Sequence, residues 1–193
     1  MLKRIVMACL MVCLAAGSSF AVDAEDVKFP EHLKLENVDL LFNGSGIRKK
    51  KVGFVTIKPY VAALFLKEKM ADGNAVVSAD APMAIRLYIT SSLISSKKMS
   101  KSTRDGFKRS TKGNTKPIQK EIDDMIAVFK EDINPDDIYD LVYVPGVGTS
   151  IYKQGEKKTV VKGLAFKQAL FGIWLGQAPT LETMKAGMLG NSG

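Results

Sequence analysis

Apolar and polar positions alternate along much of the chain, and the places where that rhythm stops mark its elements. Over 33–42, LKLENVDLLF, Leu33 and Leu35 and then Leu40 and Phe42 fall at alternating positions, which predicts a half-buried strand. Asn43-Gly44-Ser45-Gly46 follows, and Asn-Gly with a second glycine tolerates the positive backbone angles of a tight reversal, so a turn is expected there. Two strands should come next, about 51–57 and 60–66, separated at Pro59, which cannot donate in a ladder and demands an edge, bulge or bend. Residues 67–74 read as a charged turn around Asp72-Gly73. In 82–91, PMAIRLYITS, the apolar set Met83, Ile85, Leu87 and Ile89 alternates with Ala84, Arg86, Tyr88 and Thr90. This predicts a strand whose second face either meets solvent or lines a cavity.

From 95 to 110 the period becomes helical. Lys97, Lys98, Lys101, Arg104, Lys108, Arg109 and Lys112 share about 140° of the helical wheel, with Met99, Thr103 and Phe107 opposite. Gly113-Asn114 ends that helix, and Pro117 opens another at the first turn, where its missing N–H costs nothing. Ile118, Ile122, Met125, Ile126 and Phe129 form the apolar stripe of this second helix. Strands at 138–144, 149–154 and 158–161, divided by Pro145-Gly146-Val147-Gly148 and Gly155-Glu156, spell an antiparallel meander. Residues 164–175 are apolar nearly all round, the mark of a buried helix. Gly176 caps it, a short helix restarts near Pro179-Thr180, and 187–193 reads as a tail.

Composition changes the picture mainly at the N-terminus. The chain has 193 residues and is 46% apolar, enough for one domain with a real core. Lys3 and Arg4 precede an apolar run at 5–16 that is too short for a good membrane span, and Ser19-Phe20-Ala21 is a small-x-small site. Residues 1–21 are therefore expected to be a secretory signal peptide cut near Ala21, leaving 22–193 as a single domain in the periplasm or outside the cell. Both cysteines, Cys9 and Cys13, fall in that leader, so the mature chain would lack disulfides, thiol nucleophiles and thiolate metal sites. Removing Lys3 and Arg4 from 28 basic side chains, against 20 acidic ones, leaves a net charge of +6. Export makes nucleic acid an unsuitable partner for this charge and leaves anionic lipid surfaces, polyanions or acidic small molecules.

The common catalytic signatures HExxH, GxSxG and GxxxxGK[ST] do not occur, and no cofactor or metal is implied. His32, the one histidine, reads as a surface residue, and Asn43-Gly44-Ser45 matches the glycosylation triplet as chance often allows. What remains is Arg48 at the mouth of a long apolar run, five tyrosines and a large apolar inventory. A guanidinium drawn inside without an anion is costly, so Arg48 either stays in water or waits for an acidic partner. Arginine with a neighbouring phenol, at the end of an apolar cavity, suits an amphipathic acid.

Four segments in order resemble the chalcone isomerase-like family, in particular its bacterial exported members: LFNGSGIR at 41–48, YVAALFL at 60–66, YVPGVGT at 143–149, and FGIWLG at 171–176 with Pro179. The resemblance spans about 33–190. It implies an α+β fold, an open-faced β-sandwich in which a large curved antiparallel sheet wraps against a layer of helices with the ligand cleft between them. In the plant isomerases the arginine matching Arg48 stabilises a substrate oxyanion, and in the fatty-acid-binding branch it holds a carboxylate. Tyr60 falls near a threonine that helps polarise the isomerases' ketone, and the tyrosine they carry after the long strand is replaced within 97–101 by lysine, methionine or serine. That departure counts against isomerase chemistry and leaves carboxylate binding intact.

The reading is thus a non-catalytic binder of a fatty acid or similar amphipathic carboxylate, with Arg48 as clamp and Tyr60 beside it, the guanidinium pointing inward. An intramolecular lyase or isomerase acting on enones is the alternative. A third possibility is a membrane-surface or protein-interaction module that uses Lys97, Lys101, Arg104 and Lys108.

Overall fold

The structure, a computed structural model, describes residues 20–24 and 27–191, with the side chains described from Val27 onward. The expected leader lies, over residues 1–19, outside them. Seven strands form one antiparallel sheet in chain order: β3 (His32–Leu35), β4 (Val38–Val52), β5 (Val55–Leu66), β6 (Met83–Ile89), β7 (Ile138–Val144), β8 (Gly148–Lys153) and β9 (Glu156–Val161). A separate hairpin, β1 (Phe20–Ala24) with β2 (Val27–Pro30), precedes it. Among the described residues five α-helices accompany the strands: α1 (Gly73–Ser78), α2 (Ser96–Ser110), α3 (Gln119–Ala127), α4 (Leu164–Leu175) and α5 (Glu182–Met188).

The sheet's two faces carry two cores. Leu64, Ile85, Leu87, Tyr139, Leu141 and Ile151 meet the helices through Phe107, Ile122, Met125 and the apolar face of α4. On the other face Phe42, Phe65, Ala84 and Val142 lie with Val27 and Phe29 of β2, which cover them. Phe42 packs edge-on against Phe65 at 5.7 Å between ring centroids. The second face of β6 is only partly open to solvent: Ala84 is buried, and the half-buried Arg86 makes a two-pronged ion pair with Asp140 directly across on β7, at 2.7 and 3.0 Å.

Three departures from the sequence expectation share one region. The segment 33–42 is not one strand, because Glu36 and Asn37 both adopt positive φ and turn β3 back onto β4. Asn43 to Gly46 is not a turn but the middle of β4. Asn43 is the extra residue of a bulge there, since Phe42 faces Phe65 while Gly44 faces Leu64. Its buried side chain donates to the carbonyls of Met70 (3.0 Å) and Met188 (2.9 Å) and accepts from the Met70 N–H (2.8 Å), which also removes it as a glycosylation acceptor. Gly44 and Gly46 serve close approach: a Cβ on either would stand 2.3 Å from a backbone oxygen of α5, that of Gly187 or Met184. The reversal itself comes later, at Gly53-Phe54, where Gly53 at φ 60° opens a two-residue hairpin between β4 and β5.

Pro59 is accommodated by the bulge that its chemistry demands: Lys58 and Pro59 together oppose the single residue Lys49, and β5 continues unbroken. The expected turn at 67–74 ends in α1, whose first N–H groups are capped by Asp72. At the other end of α1, Lys167 reaches out of the apolar helix α4 and donates to the carbonyls of Val76, Val77 and Ala79 at 2.8, 3.0 and 2.7 Å. Gly187 to Leu189 is buried end of α5, not tail.

Candidate functional site

Arg48 and Tyr60 are brought together by the β4–β5 register, in which they are directly opposed. Directly opposed residues of an antiparallel pair project from the same face, and Tyr60 belongs to the core on the helix side, so Arg48 faces the helix layer too. Arg48 is half-buried as a residue, and its guanidinium donates to the Lys49 carbonyl at 2.8 Å. Among the described residues no carboxylate lies within ion-pairing distance of it.

Tyr60 is buried, and its hydroxyl accepts a hydrogen bond from the indole N–H of Trp174 at 3.1 Å. Its own O–H has no acceptor among the described residues. Burial pushes this phenol above its ordinary pKa, while the Trp174 N–H and the guanidiniums of Arg48 and Arg109 pull it back only in part. The group is therefore a neutral hydrogen-bond donor at pH 7, suited to an anionic oxygen and unsuited to act as a phenolate base.

Two small cavities flank this phenol. One, of about 40 Å³, is lined by Arg48, Lys50, Pro59, Tyr60, Leu93 and Met99 among others. The second, of about 20 Å³, lies deeper, against Leu87, Met125, Phe129, Trp174 and Thr180. Tyr60, Met99 and Ser102 line both, so these side chains form the partition between them. Each space holds only a water or a few, far below the ~300 Å³ of a ligand pocket. The cleft expected between sheet and helices is thus present in position but closed by side chains.

Sequence reasoning placed Arg109 among solvated bases and Trp174 in the core. In the structure Arg109 donates to Thr180 Oγ1 at 3.0 Å and acts on the same phenol as Arg48. No local signal could join Tyr60, Arg109 and Trp174, which lie on three elements far apart in sequence. Segment 97–101 contributes Lys98 and Met99 to the cavity walls and no phenol. The basic face of α2 is exposed as expected, but Lys101 pairs with Asp105 at 2.8 Å and Arg104 with Asp123 at 2.7 Å, so part of its charge is neutralised. His32 sits at the surface, 2.8 Å from Asp39. Among the described residues no cluster of His, Cys, Asp or Glu could hold a metal ion, and no helix is long and apolar enough to cross a membrane.

A family described as chalcone isomerase-like matches residues 21–190. Among solved structures, a fatty-acid binding protein of Arabidopsis thaliana superposes with a TM-score of 0.71 at 18% identity, covering 90% of this chain and 97% of that one. No curated protein matches the chain.

Proposed function

Because the chain belongs to the chalcone isomerase-like family, we propose that it is a non-catalytic member that binds a fatty acid or similar amphipathic carboxylate between sheet and helices, Arg48 and Tyr60 holding the carboxylate. The observation that carries this reading is a guanidinium without an acid partner set across from a buried phenol with an unused O–H, both on one cavity wall. A carboxylate accepts from both at once, the guanidinium contributing charge and the phenol direction. The structural neighbour's description as a fatty-acid binding protein agrees with this chemistry.

An acyl chain needs more room than the two cavities give, and Met99 is the side chain to yield. It lines both spaces, and an unbranched thioether with three rotatable bonds repacks at little cost. Swinging it aside removes one of the three side chains, with Tyr60 and Ser102, that divide the space between Arg48 and Phe129. Burying about ten methylenes at ~0.8 kcal/mol each gives ~8 kcal/mol gross. Association costs of ~4 kcal/mol or more offset much of that, so the expected affinity is modest.

Titration with dodecanoate and hexadecanoate, followed calorimetrically, tests the reading. Binding should be saturable and one-to-one, and Arg48→Ala should weaken it at least ~10-fold, the loss of one charge-assisted contact. No heat with any straight-chain acid, or equal affinity in Arg48→Ala, would remove the proposal. A hydroxychalcone absorbance assay should give no rate above background, and a rate abolished by Arg48→Ala would favour the isomerase alternative. The proposal includes export to the periplasm or beyond. N-terminal sequencing of the mature protein from a fractionated host, starting near Val22, would support this, and an intact Met1 in the cytoplasm would contradict it.

A further inference from the structure

The β4–β5 hairpin continues past the sheet as a two-stranded ribbon. Strand β6 pairs with β5 only from Tyr60 onward, so the cross-strand pairs Lys50–Ile57, Lys51–Thr56 and Val52–Val55 have no third strand beside them. At ~3.3 Å per residue the ribbon stands ~10 Å clear of the sheet. Its tip is apolar and open: Val52 is 54% exposed, Phe54 fully exposed at 111%, and Val55 62% exposed. A Cβ added at Gly53 would meet nothing within 4 Å. Behind the tip lie the exposed cations Lys49, Lys50 and Lys51, none with a carboxylate at ion-pair distance among the described residues. Leu93, 54% exposed, joins Lys50 and Ile57 at the rim of the Arg48 cavity, and Lys98 donates to its carbonyl at 2.9 Å.

We infer that this hairpin is a membrane-docking finger: the Val52-Gly53-Phe54-Val55 tip enters the headgroup and acyl boundary of an anionic phospholipid bilayer, and Lys49, Lys50 and Lys51 form a collar on the lipid phosphates. An exposed aromatic on a tight turn is what an interface rewards, since the side chain leaves water while the backbone of the turn stays at headgroup level. The collar supplies attraction that a zwitterionic or uncharged partner surface could not return. A convex tip of four residues offers far less area than the ~1,000 Å² a stable protein interface needs, whereas a bilayer closes around a wedge of any shape. A second copy is disfavoured by the lysines along the ribbon, which guard its edges against pairing. The inference does not depend on the fatty-acid reading.

Co-sedimentation of the purified mature protein, starting near Val22, with vesicles of phosphatidylethanolamine and phosphatidylglycerol, against phosphatidylcholine alone, tests it. Binding should require phosphatidylglycerol and weaken with added salt. Phe54→Ser should lower the partition coefficient at least ~10-fold, the worth of one phenyl ring leaving water. Because Phe54 lies outside both cores, this variant should melt with the wild type, so a loss of binding reports the tip and not unfolding. Substituting Lys49, Lys50 and Lys51 together by Ser should remove the lipid selectivity. In Phe54→Trp, added phosphatidylglycerol vesicles should shift the new emission to the blue. The inference is overturned if the wild type ignores phosphatidylglycerol at low salt. It is overturned equally if Phe54→Ser binds undiminished, which would assign docking to the basic face of α2, or if a concentration-dependent dimer vanishes in Phe54→Ser, which would assign the tip to a second copy.

Discussion

Replacing Lys167 by methionine tests how the helix layer is held over the site. Its ammonium is buried in α4 and spends all three N–H donors on the last carbonyls of α1, with the rings of Phe171 and Tyr143 at 5.2 and 5.6 Å. Methionine fills similar space and donates nothing. The Val76 carbonyl is then stranded in the interior, at ~2 kcal/mol, while those of Val77 and Ala79 are half-buried and lose less, ~0.5–1 kcal/mol each, because water can reach them. The expected loss is ~3 kcal/mol, or ~6–12 °C in Tm for a chain of this size. A pH signature separates this cause from simple repacking. Desolvation pushes the Lys167 ammonium down from 10.5 to about 8 in the folded chain. Below pH 8 both folded and unfolded states carry the proton, and above 10.5 neither does. Between the two the unfolded chain binds a proton that the native one has shed, so this group makes stability rise with pH across that window. Urea denaturation at pH 7.5 and 9.5 should show the wild type gaining on Lys167→Met. The reasoning fails if Lys167→Met is as stable as the wild type, as a well-packed apolar substitute for a buried ion can be, or if their difference is flat with pH.

Three further outcomes follow from the geometry. Gly46→Ala should destabilise the fold by ~2 kcal/mol or more and loosen α5, because its Cβ would meet the Met184 carbonyl at 2.3 Å; a Tm within 2 °C of wild type would refute the close approach. Asp140→Ala should cost ~3–5 kcal/mol in urea denaturation by leaving the Arg86 guanidinium without its two-pronged partner, and a cost under ~1 kcal/mol would mean that water already serves that charge. Trp174, the single tryptophan, should be quenched by a fatty acid brominated beside its carboxyl, since the indole N–H donates at 3.1 Å to the Tyr60 hydroxyl that holds the carboxylate; an unquenched indole would place the carboxyl elsewhere.

Much of the architecture was legible because single faces are buried in simple ways. The strand at β6, the β7–β9 meander, the two-faced helix α2 and the all-round apolar α4 emerge where their periods announce them. The β3–β4 turn had a signal in parity: Leu33 and Leu35 are odd, Leu40 and Phe42 even, and a strand cannot change face without a turn or bulge. The Gly44 and Gly46 positions misled because glycine serves both reversal and close approach, and only the backbone of α5, remote in sequence, decides between them. The true reversal was hidden by Phe54 and its apolar neighbours, which read as strand. At the site, Arg48 stood out as a cation at the mouth of an apolar run and Tyr60 came forward through the family resemblance, but their opposition depends on that later hairpin and on the bulge at Pro59. Trp174 reaches that phenol from a helix more than a hundred residues away in sequence, so periodicity alone could not join them.

Carbon-13 NMR of carboxyl-labelled dodecanoate bound to the protein tests the carboxylate clamp at its own atoms. A carboxylate held by the Arg48 guanidinium and the Tyr60 hydroxyl should keep its ionised chemical shift at pH values where the free acid has protonated. It should lose that resistance in Arg48→Ala. A bound resonance that titrates with the free acid, or one unmoved by Arg48→Ala, would contradict the clamp.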